Sequence, residues 1–183
     1  MKFDQEEIHK ILEGTAFGVT DGVICFSGLA IGVARSTLNP TLVVIATLVG
    51  GIADAFANAI GFYISQTTER NVQIHDNERG IQTHVHSKRE VLMNGVFTFV
   101  SSLTVLLVLV SPFMIFNLWS AVTIMLALGI VITFALGAYC ARINGENPIK
   151  SGAKYSCLTL IGAVLSYSLG EVLGIYFHYN VPA

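Results

Sequence analysis

Residues 18–32 read GVTDGVICFSGLAIG. Apart from Asp21 and the hydroxyls of Thr20 and Ser27, every side chain in the run is small or apolar, as in the interior of a membrane helix. A carboxylate at the middle of a bilayer costs roughly 2.5–3.5 kcal/mol on the insertion scale before it finds a partner. The stretch thus fixes the solvent as lipid and leaves Asp21 in need of a chemical reason.

Outward from this run, four more stretches of similar character appear, giving spans at about 14–34, 41–65, 91–111, 119–141 and 155–178. Each meets or nearly meets the ~20 residues that cross a hydrocarbon core about 30 Å thick. The chain is 53% hydrophobic and 12% charged, about half the charged share of a soluble domain. These features predict an all-α integral membrane bundle of five transmembrane helices forming a single domain over residues 1–183. Its partner is the lipid bilayer, and the few charges offer nothing to nucleic acid. The short loops suit a prokaryotic plasma membrane.

The distribution of charge sets the orientation. Lys2, Lys10, Arg70, Arg79, Lys88, Arg89, Arg142, Lys150 and Lys154 fall on one side of a five-span topology, and Arg35 alone on the other. The positive-inside rule places the N-terminus in the cytoplasm and the C-terminus outside. MKFDQEEIHKILEG, ahead of the first span, is acidic and does not read as a cleavable signal. Residues 2–13 read either as a short interfacial helix with Phe3, Ile8, Ile11 and Leu12 on one side, or as a solvated lead-in. RSTLNP (35–40) closes a tight hairpin between the first two spans, because Asn-Pro stops a helix. SPFMIFN (111–117) is an apolar outer turn beside Trp119, and RINGENPIKSG (142–152) is an inner turn. Residues 66–90 form the only sizeable loop, on the cytosolic side.

Three acidic residues, Asp21, Asp54 and Glu171, lie inside spans. Asp21 is roughly 11 Å and Asp54 roughly 18 Å from the inner ends of their spans at 1.5 Å per residue. Packed as a hairpin, the two converge on one midplane site. Intramembrane acids commonly mark ion or proton pathways. Burial favours the protonated form of a carboxylate and a cation favours the ionised form, so such a group exchanges protons for a metal ion. Cys25 is one turn from Asp21 and Asn58 one turn from Asp54. Carboxylate and amide oxygens suit Mn²⁺ or Fe²⁺, and a thiolate adds a softer donor. The metal set is therefore Asp21, Asp54, Asn58 and Cys25. Glu171 reads as an exit-side proton acceptor or as a hydrogen-bond partner of Tyr167 or Ser168. In the loop, His75, Asp76, Glu78, His84 and His86 read as a solvated set or a weak cytosolic metal-capture site, with no closed zinc spacing. Cys25, Cys140 and Cys157 show no paired spacing and read as small buried hydrophobes.

Small residues repeat beside the acids: Gly14, Gly18 and Gly22 in the first span, and Ala53, Ala57 and Gly61 in the second. Such lines let backbones approach and mark helix–helix contacts or dimer faces.

TDGVICFSGLAIGVA (20–34), LVGGIADAFANAIGFYIS (48–65) and LGAYCARINGENPIKSGAKYSCLTLIGAVLSYSLGEVLG (136–174) together resemble the vacuolar iron transporter family of five-span divalent-metal/proton antiporters. The resemblance implies that Asp21 lies on an ion pathway at a homodimer interface along span one and that Asp54 is the second acid. It also implies two departures. Iron-transporting members carry Met where Phe62 stands, two turns past the second acid, and many insert a cytosolic metal-binding domain for which residues 66–90 are too short.

The expected function is export of Fe²⁺ or Mn²⁺ by proton antiport, with no resident cofactor and no enzymatic activity. The alternatives are a proton-coupled exporter of another cation and a non-transporting membrane scaffold. An intramembrane aspartyl protease is disfavoured, since Asp54 follows GIA rather than Gly-x-Gly.

Overall fold

The computed structural model describes the backbone of residues 5–180 and the side chains of residues 12–177. The described residues form α1 (Gln5–Thr37), α2 (Pro40–Glu78), α3 (Lys88–Val110), α4 (Leu118–Ile143) and α5 (Pro148–Asn180), with one 3-10 turn at Ser111–Met114. All five helices are long and apolar enough to cross a membrane. The α2–α3 and α4–α5 connections share one end of the bundle, called here the basic end.

Local chemistry sets the helix boundaries. The Asn39 side chain accepts hydrogen bonds from the amides of Thr41 (3.0 Å) and Leu42 (3.2 Å), and Pro40 follows at the first helical position. Leu38 turns the chain through φ +52° between the two helices. Ser87 and Glu90 form a reciprocal capping box at the start of α3. Asn117 caps α4, and Asn147 caps α5 by accepting from Ile149 and Lys150. Gly145, at φ +72°, makes the α4–α5 turn without a Cβ penalty.

The loop between the second and third spans is shorter than residues 66–90 suggest. Helix α2 continues past the membrane to Glu78, leaving 79–87 as the non-helical link. Polarity alone had marked this segment as loop, but it contains neither Pro nor Gly before Gly80 and nothing else that stops a helix. The link folds back on the extension: Arg70 donates to the His86 carbonyl at 2.9 Å, and the His86 amide donates to Gln73 at 2.9 Å. At the N-terminal side, α1 runs from Gln5 into its span as one helix. Phe3 and the side chains of Ile8 and Ile11 lie outside the described residues, so the interfacial face proposed for 2–13 is described only at half-buried Leu12.

Helix α1 is the hub, touching each of the other four helices. Gly14 and Gly18 sit flush on α3, where a Cβ would strike the Asn94 backbone and the Thr98 carbonyl. The close approach lets polar side chains bridge the seam. Asn94 accepts from the Gly14 amide (3.3 Å), Thr98 donates to the Gly14 carbonyl (3.1 Å), and Ser102 donates to the Gly18 carbonyl (2.9 Å). The first glycine line of span one therefore serves packing within the chain. Toward the other end, Val23, Phe26, Ala30, Leu106, Leu109 and Met125 form the apolar core. The broad faces of α2 and α5 are left apolar and exposed, as lipid-facing surfaces are.

Candidate functional site

Helices α1 and α2 are antiparallel neighbours folded about the Asn39–Pro40 peptide, so residues equidistant from that bond face one another. Taken from the basic end inward, the first such rung is Glu13 with Gln66, whose Nε2 donates to the carboxylate at 3.1 Å. Next come Phe17 and Phe62, with ring centroids 5.2 Å apart. The third rung is Asp21 with Asn58, and the fourth Cys25 with Asp54, whose side chains interact. Beyond them Leu29 closes on Gly50. Four-residue spacing keeps each set on one side of its helix.

The centre of this ladder is a carboxylate pair held by an amide. Asn58 Nδ2 donates to Asp21 Oδ2 at 2.5 Å and to Asp54 Oδ2 at 3.0 Å. Asp21 and Asp54 are also near enough to act on each other directly. All three side chains are half-buried. One amide cannot satisfy every acceptor site of two carboxylates, so the pair still has oxygens to offer to a proton or to a cation lying between them.

Of the residues singled out from sequence, the structure brings together Asp21, Asp54, Asn58 and Cys25. It leaves Glu171 on another helix pair. There Glu171 accepts from Arg35 Nη2 at 2.8 Å, and the Arg35 guanidinium lies 5.4 Å from the Tyr167 ring centroid. Ser168 donates instead to the Val164 carbonyl. The polar segment after span two also divides. His75 pairs with Glu78 at 3.0 Å, while His86 stands 3.7 Å from Glu69 and 3.9 Å from Glu90, with the His84 ring against it. Asp76 contributes its backbone carbonyl to the turn, accepting from Arg79 and Ile81. Among the described residues, no three His, Cys, Asp or Glu side chains form a group that could hold a metal ion. Cys25 and Cys140 are half-buried, but Cys157 is exposed on the bundle surface, because its α5 face has no neighbour.

Sequence reasoning missed Glu13, Gln66 and Phe17 in the ladder, took Phe62 only as the replacement of a Met, and missed Arg35 beside Glu171. Gln66 and the Phe17–Phe62 pair belong to the ladder and follow from reading both spans outward from Asn39–Pro40. Arg35, as the Glu171 partner, is a contact between residues 136 positions apart that no local pattern announces.

The VIT family model matches residues 15–91, which hold every residue of the central rungs. An uncharacterized protein of Methanocaldococcus jannaschii is 25% identical over 162 residues, covering 83% of this chain and 84% of the relative. These findings fit a member of the vacuolar iron transporter family, whose members are membrane metal transporters rather than enzymes.

Proposed function

We propose, from that family fit as the premise, that this chain exports Mn²⁺ or Fe²⁺ from the cytosol in exchange for protons, with Asp21 and Asp54 as the shared site. The observation that carries this reading is the Asn58 amide bridging two carboxylates inside the membrane-spanning hairpin. With protons bound, the pair is neutral and tolerates the membrane interior. A divalent cation displaces those protons and balances both carboxylates at once. Asn58, its amide turned over so that Oδ1 rather than Nδ2 meets the ion, is a further hard oxygen ligand, and Cys25 Sγ a softer one once the ion draws these side chains together. The ladder supplies the approach: Glu13 attracts the cation at the cytosolic mouth, and the Phe17–Phe62 rings separate that mouth from the carboxylates. Glu171, held by Arg35, is the proton acceptor toward the exit.

One chain supplies few ligands for an ion that prefers six. Helix α1 presents Thr20, Asp21 and Ile24 only partly covered, between α2 and α5. A second copy packed along that face forms the homodimer and completes the site. The polar segment of α2, with His75, Asp76, Glu78, His84 and His86 nearby, serves at most as a weak cytosolic capture surface. The five apolar helices support a membrane location, and a prokaryotic plasma membrane is the one we assign. Transport is tested in proteoliposomes with an imposed pH gradient. Asp21→Asn is expected to cut Mn²⁺ and Fe²⁺ flux to the protein-free level, and flux equal to the unmodified chain would remove Asp21 from the site.

A further inference from the structure

The α4–α5 turn at the basic end encloses a cavity of about 730 Å³ whose lining includes Asn144, Glu146, Lys150, Ser151, Lys154 and Tyr155. It is far along the chain from the carboxylate ladder and plays no part in it. Its charge pattern is unusual for a helix start. Lys150 and Lys154 lie one turn apart on the same face of α5, where like charges repel. The first turn of α5 holds no acidic residue, although a helix N-terminus favours one. Among the described residues, neither lysine stands in an ion pair. The Asn147 cap has already taken the amides of Ile149 and Lys150, so the helix end itself is satisfied. What remains is two ammonium groups beside two hydroxyls, Ser151 and Tyr155, with Glu146 the one carboxylate in the lining. This arrangement favours an anion of single negative charge.

Position and shape identify the carrier of that charge. The cavity lies between the end of α4 at Ile143 and the start of α5 at Pro148, where membrane spans meet the headgroup layer. Beneath Lys154, the exposed apolar residues Leu158, Ile161 and Leu165 continue the same stripe down α5 toward the bilayer centre. Ile149, beside Lys150 in the chain, is 72% exposed. Cationic and hydroxyl groups above an uninterrupted apolar stripe match a phosphate joined to an acyl chain, whereas free phosphate has no use for the stripe. We propose that this cavity binds the phosphodiester headgroup of an anionic phospholipid, with an acyl chain along Leu158, Ile161 and Leu165. Glu146 accepts from a headgroup hydroxyl, which favours glycerol-type headgroups.

The test uses the full chain in vesicles of equal phosphatidylglycerol and phosphatidylcholine, extracted in mild detergent and weighed by native mass spectrometry. Phosphatidylglycerol is expected to remain bound in preference to phosphatidylcholine. The double variant Lys150→Gln, Lys154→Gln is expected to lose about tenfold or more of that retention, since each basic residue near an anionic surface adds severalfold. Lys150→Arg, Lys154→Arg keeps the charge and is expected to keep the lipid, which guards against a folding defect in the first variant. Arg142→Gln removes a charge at the same end but outside the lining, and is expected to change retention by less than about twofold. Equal retention in the double Gln variant, or an equal loss in Arg142→Gln, would overturn the site. Displacement of the lipid by millimolar inorganic phosphate would transfer the site to free phosphate and overturn the lipid assignment.

Discussion

Asn58 is the residue on which the proposed ion site turns, because one amide donates to both carboxylates. Hydrogen bonds to charged groups contribute about 1.5–3 kcal/mol, or tenfold and upward in an equilibrium constant. Asn58→Ala is accordingly expected to raise the KM for Mn²⁺ by about tenfold or more in vesicle flux assays. An unchanged KM would show that the bridge does not order the site. Phe62 offers the opposite experiment. Its ring stacks on Phe17 one turn from Asn58, so Phe62→Met places a thioether beside oxygen ligands. Softer donors favour Fe²⁺ over Mn²⁺, and competition flux is expected to shift severalfold toward Fe²⁺. No shift would mean that this position is outside ligand reach.

At the level of elements, the α1–α3 seam and the α1–α2 hairpin do different work. Gly18 lets α1 settle on α3, and a larger side chain there meets Ser101 and Thr98. Gly18→Leu is expected to cost about 1–3 kcal/mol through overpacking, read as a lower Tm in detergent, while Ser102→Ala costs about 0.6 kcal/mol. An unshifted Tm in Gly18→Leu would contradict the seam. Much of this was legible in the sequence: hydropathy gives the five spans, Asn39–Pro40 gives the hairpin, and two acids at comparable distances from it give a convergent pair. Two things were not legible. Polar composition hid the extension of α2, since a helix outside the membrane needs no apolar face once its link packs back through Arg70 and Gln73. Small-residue spacing reports that a helix approaches something closely, but does not distinguish α3 of the same chain from a second copy. Glu171 and Arg35 show the same limit for charges, because their meeting depends on the packing of α1 against α5.

At the scale of the whole molecule, α1 packs on all four other helices and still leaves Thr20, Asp21 and Ile24 only partly covered. The homodimer proposed there predicts that Ile24→Cys, in a chain with Cys25, Cys140 and Cys157 changed to Ser, forms an intermolecular disulfide in membranes. Monomer alone after oxidation would place the partner elsewhere. The central claim is that the two facing carboxylates exchange hydrogen ions for a divalent cation, and it is tested most directly by recording both ions in the same proteoliposomes. With Mn²⁺ supplied on one side, the unmodified chain is expected to move Mn²⁺ one way and protons the other in a fixed ratio, and Asp54→Asn to stop both currents together. Mn²⁺ movement with no accompanying protons, or coupled movement that survives Asp54→Asn, would contradict it.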